Sequence, residues 1–249
     1  MKIAVCISNV PDTTTKIKFN ASMTSVDYSG VQWIINPWDE LALTRAVELK
    51  EISGGNVSSV DVICVGDAGV EPTLRKCLAI GAEKAIRIQG DPSDGFGVAS
   101  MLADYFAENS YHLILAGLES SDFNGGYTGS MLAGFLDIAL ITAVSGISLE
   151  NSKFKFERDV DGASQTVEAD GTTLAVIQKG FALQPRIPSM RGIMSARTKS
   201  LQVIQGTEST ARTQMVSFEM PKSRAACKFV EPDNVSELVN LLHNEAKVI

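Results

Sequence analysis

Short apolar runs alternate with amphipathic stretches over the first half of the chain. The runs are too short for buried helices and are bounded by glycine, so they predict buried strands. These strands are Ile3–Ile7, Val60–Val65, Ala85–Ile88 and His112–Ala116. Strands that alternate with helices are typical of an α/β protein, in which a mostly parallel sheet has helices on both faces.

The clearest helix begins after Asn36, which is a favourable N-cap, with Pro37 suited to the first helical position. Asp39 and Glu40 complement the positive end of the helix dipole, which explains them better than a catalytic pair of carboxylates does. The predicted inward face holds Trp38, Leu41, Ala42, Ala46, Leu49 and Ile52. Gly54-Gly55 predicts the end of the helix.

Three more helices are predicted before residue 137. They cover about Glu71–Ile80 with Gly81 as the stop, about Gly97–Glu108, and a stretch from about Thr128. The last of them is expected to turn four apolar side chains inward: Met131, Leu132, Phe135 and Leu136.

After Asp137 the apolar runs become short and alternate with polar residues, which predicts antiparallel strands that extend the sheet. They are Ile147–Leu149, Lys153–Arg158, Gln165–Glu168 and Leu174–Gln178. Phe181–Met194 holds two prolines and is predicted to be irregular, and Leu201–Ile204 is predicted to be a last strand.

The pattern divides the chain into an α/β domain over residues 1–205 and an arm over residues 206–249. Residues 206–228 are polar and cannot bury much surface alone, and 234–246 form a short amphipathic helix. We expect this arm and its helix to pack on a partner subunit; a disordered tail is the alternative.

Composition narrows the class of protein. The formal net charge of -7 makes nucleic acid an improbable partner. No two of the four cysteines have Cys-x-x-Cys spacing, which disfavours a metal site and fits a reducing compartment. Met1-Lys2 leads directly into the first strand, and no apolar run reaches membrane-spanning length. We therefore expect a cytoplasmic protein without membrane insertion.

The segment from Gly117 to Gly129 follows the fourth predicted strand and is rich in glycine. Glycine lets backbone amides approach an anion closely, and the next helix offers free N–H groups and a positive dipole end. Ser121 and Thr128 add hydroxyl groups. This chemistry suits a nucleotide phosphate, and a glycine-rich surface turn is the alternative. The chain has neither a P-loop nor a Gly-x-Gly-x-x-Gly motif in the expected place.

A hydrolytic active site is poorly supported, because neither of the two histidines is expected to act as a base. His112 is predicted to be a structural residue in a strand, and His243 is predicted to face solvent on the last helix. A basic stretch surrounds Met190 and Pro188 and contains Arg186, Arg191, Arg197 and Lys199. It is either a solvated loop or a docking loop for acidic partners.

Several segments resemble the beta subunit of the electron transfer flavoproteins, including the Fix-type variant. They are Met1–Lys18 with Val10-Pro11-Asp12, Asn36–Glu40, Leu74–Ala85, Asp122 with Thr128–Met131 and Ala133–Asp137, and Pro185-Arg186 with Ile193–Ala196. These segments occur in the family's order and span nearly the whole chain.

The resemblance implies a three-layer fold of the adenine-nucleotide alpha-hydrolase-like type and a heterodimer with an alpha subunit. It implies an electron carrier that takes electrons from flavin-containing dehydrogenases of the acyl-CoA type, with FAD shared with the alpha subunit. The beta subunit is expected to hold AMP, or a second FAD as in electron-bifurcating relatives. The positions that match the nucleotide site are Cys6, Asn36, Asp39, Gly66, Asp122, Gly125, Gly126, Tyr127, Thr128 and Gly129. Met190 and Arg191 match the partner-docking loop.

The chain departs from the family pattern at Gly126 and Tyr127, where many members carry Asn-Gln or Ala-Gln. Backbone amides and Thr128 are then left to bind the phosphate. Two other hypotheses fit an α/β nucleotide-binding fold: a stand-alone adenine-nucleotide sensor of the stress-protein type, and a nucleotide-cleaving or adenylating enzyme.

Overall fold

The computed structural model describes residues 1–208, 210–224 and 226–249; Ser209 and Ala225, which belong to the predicted arm, lie outside the described residues. The strands in chain order are β1 (Lys2–Cys6), β2 (Asn9–Pro11), β3 (Lys18–Phe19), β4 (Val26–Asp27), β5 (Trp33–Ile35), β6 (Ser59–Val65), β7 (Lys84–Gln89), β8 (Leu113–Gly117), β9 (Ala139–Glu150), β10 (Lys153–Val160), β11 (Ala163–Glu168), β12 (Thr173–Ile177) and β13 (Leu201–Gln205). The helices are α1 (Pro37–Ile52), α2 (Glu71–Ile80), α3 (Gly95–Glu108), α4 (Thr128–Leu136), α5 (Met190–Ala196) and α6 (Val235–Asn240). A 3₁₀ turn, Ala68–Val70, precedes α2, and a π-helical turn, Leu241–Ala246, follows α6.

One large sheet organises the molecule, with the strand order β11-β10-β9-β12-β8-β1-β6-β7-β13. Every pair of neighbouring strands from β9 to β13 in this row is parallel. The strand β10 is antiparallel to both β9 and β11. The predicted mostly parallel α/β sheet is therefore confirmed.

Helices cover both faces of the sheet and make three layers. On one face, α1 and α2 bury Leu43 and Leu74 against side chains such as Val5. On the other face, α3 and α4 bury Leu102 and Leu132 in a second cluster. Both faces of the central strands are therefore covered, as is usual for parallel strands.

The position of β12 corrects the prediction that Leu174–Gln178 is one of the antiparallel strands that extend the sheet. Thr173–Ile177 lies between β8 and β9, runs parallel to both, and is buried at every position. A continuous apolar run fits such an interior strand better than an extension at the edge. The predicted strand 147–149 is the end of the longer β9, while β10 and β11 form the expected antiparallel pairs.

Two helix faces also differ from the prediction. Met131 and Phe135 were expected inside but are 37% and 46% exposed, because α4 turns Leu132 and Ala133 to the core. Ile52, at the end of α1, is exposed as well. The predicted stop of α2 is confirmed, since Gly81 has a φ of +150° at its C-cap.

The segment 181–194 and the arm expose many apolar side chains. Residues 190–194, predicted to be irregular, form most of the short helix α5. The predicted C-terminal helix is present as α6 and the π-helical turn, and its Val235 and Val239 are exposed. In the part of the chain that the structure describes, no helix is both long and apolar enough to cross a membrane.

Candidate functional site

The sheet has a switch point between β1 and β8. From β1 the chain proceeds to β6 and β7 on one side, and then returns to β8 on the other side of β1. In open α/β sheets, ligands bind in the crevice that such a reversal leaves at the carboxyl ends of the strands. The loop after β1, the start of α1 and the glycine-rich loop after β8 meet at this edge.

Asp39 joins these elements through its carboxylate. The backbone N–H of Ser8 donates to Oδ2 at 2.8 Å, and that of Gly117 donates to Oδ1 at 3.0 Å. Asp39 lies in the first turn of α1, as predicted, but its carboxylate oxygens also accept hydrogen bonds from the backbone beyond the ends of β1 and β8. Burial raises the pKa of Asp39 to about 6, although both amide donors act in the opposite direction.

The position of the Asp39 side chain requires a glycine at the end of β8. A Cβ added to Gly117 would lie 2.3 Å from Asp39 Oδ1 and 2.6 Å from the Cβ of Trp38. The first turn of α1 therefore lies directly on the strand end. Gly117 therefore positions Asp39, a role that the sequence analysis did not assign to it.

Asn36 holds the first part of the loop after β8. Its Nδ2 donates to the carbonyl oxygen of Glu119 at 2.9 Å, and its Oδ1 accepts from the N–H of Ser121 at 3.2 Å. Asn36 is the N-cap residue of α1, as predicted, but its side chain does not cap the helix. Asn36 and Asp39 thus shape the edge of the crevice, and their polar atoms contact the protein itself.

The glycine-rich loop folds back toward α4 through two left-handed residues. Asn124 has a φ of +52° and Gly126 a φ of +67°. The ring of Tyr127 lies over Gly125, where an added Cβ would come within 2.8 Å of Cε1. This compact turn brings a series of main-chain amides to the start of the helix.

The N-terminus of α4 has no side-chain cap. Among the described residues, the backbone N–H groups of 125–130 donate no hydrogen bond to another backbone group. Uncapped amides at the positive end of a helix dipole form an anion-binding site. The arrangement therefore fits a phosphate group, although α4 contributes no cation at its start.

Gly129 sets the distance between α4 and the sheet. A Cβ added there would lie 3.0 Å from Val176 Cγ2 and 3.3 Å from Ala116 Cβ. Gly129 therefore faces the sheet, and it positions the amides of the first turn by packing.

Cys6 is the last residue of β1, which lies beside β8, and Gly66 follows β6, the next strand of the sheet. Cys6 is partly buried, and burial, followed by the charge of Asp39, raises the pKa of its thiol far above the ordinary range. Gly66 lies where β6 turns into the 3₁₀ turn, and a Cβ there would come within 2.6 Å of Val70. Both residues lie near the crevice because β8, β1 and β6 are consecutive strands of the sheet.

Asp122 lies in the exposed part of the loop, and its Oδ1 accepts from the N–H of Phe123 at 2.9 Å. Burial, and then the charge of Asp122, raises the pKa of Tyr28. Tyr28 packs on Trp33 with 5.2 Å between ring centroids. Two aromatic residues that the sequence did not indicate therefore lie near this loop.

The predicted docking residues lie at the start of α5, away from the switch point. Met190 is 75% exposed and Arg191 is exposed. Beside them, a groove of about 570 Å³ between α2 and α5 is lined by Arg75, Lys76, Ala79, Pro188, Ile193, Ala196 and Arg197.

Two residues of the predicted basic stretch have structural partners. Arg186 forms a two-pronged ion pair with Glu51 at 2.7 and 2.8 Å. The Nζ of Lys199 donates to the carbonyl oxygens of Leu78 and Ala82 at the end of α2. Arg191 and Arg197 are exposed.

The fold and the crevice define a class: open α/β proteins with a ligand site at the switch point and an uncapped helix above it. Comparison with known proteins narrows this class. Residues 24–209 match the family model described as the electron transfer flavoprotein domain. The electron transfer flavoprotein subunit beta of Bacillus subtilis and that of Bradyrhizobium diazoefficiens are each 33% identical to the chain, over the whole of both sequences. The subunit beta of Homo sapiens is 32% identical over 93% of each sequence.

The chain therefore belongs to the electron transfer flavoprotein family, among its beta subunits. Membership assigns it to flavin-associated electron transfer. The resemblance inferred from the sequence motifs is confirmed.

Proposed function

We propose that the chain is the beta subunit of a heterodimeric electron carrier and binds a nucleotide at the β1–β8 switch point. Its partner is an electron transfer flavoprotein alpha subunit, with which it shares FAD. The nucleotide of the beta subunit is AMP or a second FAD. The observation that supports this most directly is the uncapped start of α4, where the described N–H groups of 125–130 donate to no other backbone group.

The residues of the chain bind and orient rather than react. The amides after Gly125 and the hydroxyl of Thr128 would hold the phosphate, while Asn36 and Asp39 fix the two loops beside it. Cys6, Gly66 and Asp122 complete the surroundings of the nucleotide. FAD supplies the electron-transfer chemistry when bound. No side chain of the crevice is needed as a nucleophile or base.

The two predicted parts of the chain have separate tasks in this proposal. Residues 1–205 form the nucleotide-binding domain, and the arm 206–249 packs on the alpha subunit in the cytoplasm. The exposure of Val235, Val239 and Phe229 supports this assignment, because apolar side chains on an arm gain free energy when a partner covers them.

The nucleotide released on denaturation tests the proposal. We expect the complex purified with its alpha subunit to release FAD together with AMP, or two FAD per heterodimer, as measured by chromatography of the denatured extract. A chain that stays monomeric and binds ATP alone would favour the stand-alone sensor. Slow hydrolysis of ATP by that monomer would favour the nucleotide-cleaving enzyme.

Met190 is proposed as the apolar contact for flavin-containing dehydrogenases of the acyl-CoA type, with Arg191 beside it. Met190→Glu should reduce the rate of electron delivery from such a dehydrogenase about tenfold or more, because a charge replaces an apolar anchor. The flavin content should stay unchanged. Reduction of the carrier is followed by flavin absorbance.

Ile52→Glu is the matched control, since Ile52 is 71% exposed and lies on a different helix. It should leave electron delivery unchanged. Loss of flavin in Met190→Glu, or equal rates in both variants, would show that α5 is not the docking element.

A further inference from the structure

The arm is bound to the body of the protein before it reaches its exposed end. It leaves the sheet after β13, where the N–H of Gly206 donates to the carbonyl of Gln89 at 3.0 Å. Further along the arm, the N–H of Phe218 donates to the carbonyl oxygen of Met23. The ring of Phe218 stacks on that of Phe19, with 4.8 Å between the ring centroids. Between these points the arm meets the start of α3.

Asp94 makes this central contact with both carboxylate oxygens. Its Oδ1 accepts from the N–H of Gly97 at 2.9 Å and caps α3. Its Oδ2 accepts from the N–H groups of Arg212 and Thr213 at 2.6 and 2.9 Å, and from Thr213 Oγ1 at 3.3 Å. The amide of Gly97 and those of the arm hold the pKa of Asp94 below its ordinary value. One carboxylate therefore serves a helix and the arm together.

Phe96 adds a second contact in the same place. The guanidinium of Arg212 lies over its ring, 4.9 Å from the centroid. The ring of Phe96 also meets that of Phe135 on α4 edge to face at 5.3 Å. The arm is thus linked through one aromatic ring to the helix that begins at the glycine-rich loop.

Gly95, between these two residues, touches the start of that helix. A Cβ added to Gly95 would lie 2.6 Å from Tyr127 Cε2 and 2.7 Å from Thr128 Oγ1. The segment 94–96 therefore contacts the arm on one side and Tyr127 and Thr128 on the other. A movement of the arm would therefore shift segment 94–96, against which Tyr127 and Thr128 pack. A movement of Tyr127 and Thr128 would in the same way shift the segment that binds the arm.

We propose that Asp94, Arg212 and Thr213 form a latch that couples the seating of the arm to occupation of the glycine-rich loop. Nucleotide bound at Tyr127–Thr128 holds segment 94–96 in the position that seats the arm, and a seated arm holds the loop in its binding shape. The coupling rests on the proposed nucleotide site. Because binding free energies are reciprocal, each event strengthens the other by the same factor.

Asp94→Asn separates the latch from the helix cap. Asparagine is as good an N-cap as aspartate, so α3 keeps its cap through one oxygen. The second oxygen becomes an NH₂ group, which cannot accept from Arg212 and Thr213. The variant therefore releases the arm from a folded domain, and Asp94→Ala would remove both functions.

Cleavage of the full-length chain by trypsin at the Arg212–Thr213 bond reports the latch. Fragments are followed by mass spectrometry, and cleavage after Lys228, beyond the latch, is the internal control. Asp94→Asn should speed cleavage at Arg212 about tenfold, as expected for lost hydrogen bonds to a charged group, and leave that after Lys228 unchanged. Equal cleavage at Arg212 in both proteins would overturn the latch.

Calorimetric titration with AMP tests the coupling. Saturating AMP should slow cleavage at Arg212 in the wild type, and Asp94→Asn should weaken AMP binding by that same factor. AMP binding that is equal in both proteins would overturn the coupling and leave the nucleotide site intact. If AMP and FAD both fail to bind the wild type, the proposed nucleotide site is overturned along with the coupling.

Discussion

Replacing Asp39 with alanine should lower the free energy of unfolding at pH 7 by about 3 kcal/mol. The change leaves the partly buried N–H groups of Ser8 and Gly117 without acceptors, and an unsatisfied group of this kind costs about 1–3 kcal/mol when it is kept from water. The ends of β1 and β8 would also lose their link to α1. Urea denaturation followed by circular dichroism measures the effect.

Glu40→Gln is the matched control, because Glu40 lies in the same turn and forms an ion pair with the exposed Lys76 rather than bonds to the strand ends. It should cost less than about 1 kcal/mol. Asp39→Asn keeps one acceptor, so its loss of unfolding free energy should lie between those of Asp39→Ala and Glu40→Gln. A stability of Asp39→Ala within about 1 kcal/mol of the wild type would contradict the assigned role.

The effect of Asp39 should depend on pH. Its pKa is raised to about 6 in the folded chain from an ordinary value of 3.8, so the stability it contributes is full below pH 4 and declines as the pH rises through 6. The difference between wild type and Asp39→Ala should therefore be larger at pH 4 than at pH 7, by about 3 kcal/mol at most.

Replacing Gly129 with valine should reduce the nucleotide content of the purified protein at least about tenfold. The new side chain would meet Val176 and Ala116 and lift the start of α4 from the sheet, which displaces the amides that are proposed to hold the phosphate. Overpacking of this kind also costs about 1–3 kcal/mol of stability. Nucleotide released from the denatured protein is measured against protein concentration.

Gly134→Ala provides the comparison within the same helix. A Cβ added to Gly134 meets nothing within 4 Å, so alanine should retain the nucleotide and stabilise the helix by up to about 1 kcal/mol. Full nucleotide content in Gly129→Val would mean that the amides of α4 do not hold the phosphate.

The sequence predicted the elements whose causes are local. The apolar runs of β1, β6, β7 and β8 and the glycine stop of α2 follow from periodicity and backbone chemistry over a few residues. The order of the motifs also led to the correct family. The glycine-rich loop was recognised because glycine has few other reasons to accumulate before a helix.

The remaining features depend on contacts between distant positions. The side chain of Asn36 suits a helix cap by type, but its partners are Glu119 and Ser121. The exposure of Met131 and Phe135 follows from the rotation of α4 that Gly129 and the strands beneath it impose. The contact of Asp94 with Arg212 has no local sign in the sequence except that aspartate is a good cap.

The sheet surface against which α4 packs consists of residues that are synthesised at different times. Ala116 is present when Gly129 leaves the ribosome, but Leu174 and Val176 belong to β12 and follow only after the whole β9–β11 segment. A nascent chain that ends at β11 thus contains the glycine-rich loop without the β12 side chains against which its helix packs. The crevice can reach its final shape only after residue 177 has emerged, so the glycine-rich loop is translated well before the strand that completes its support.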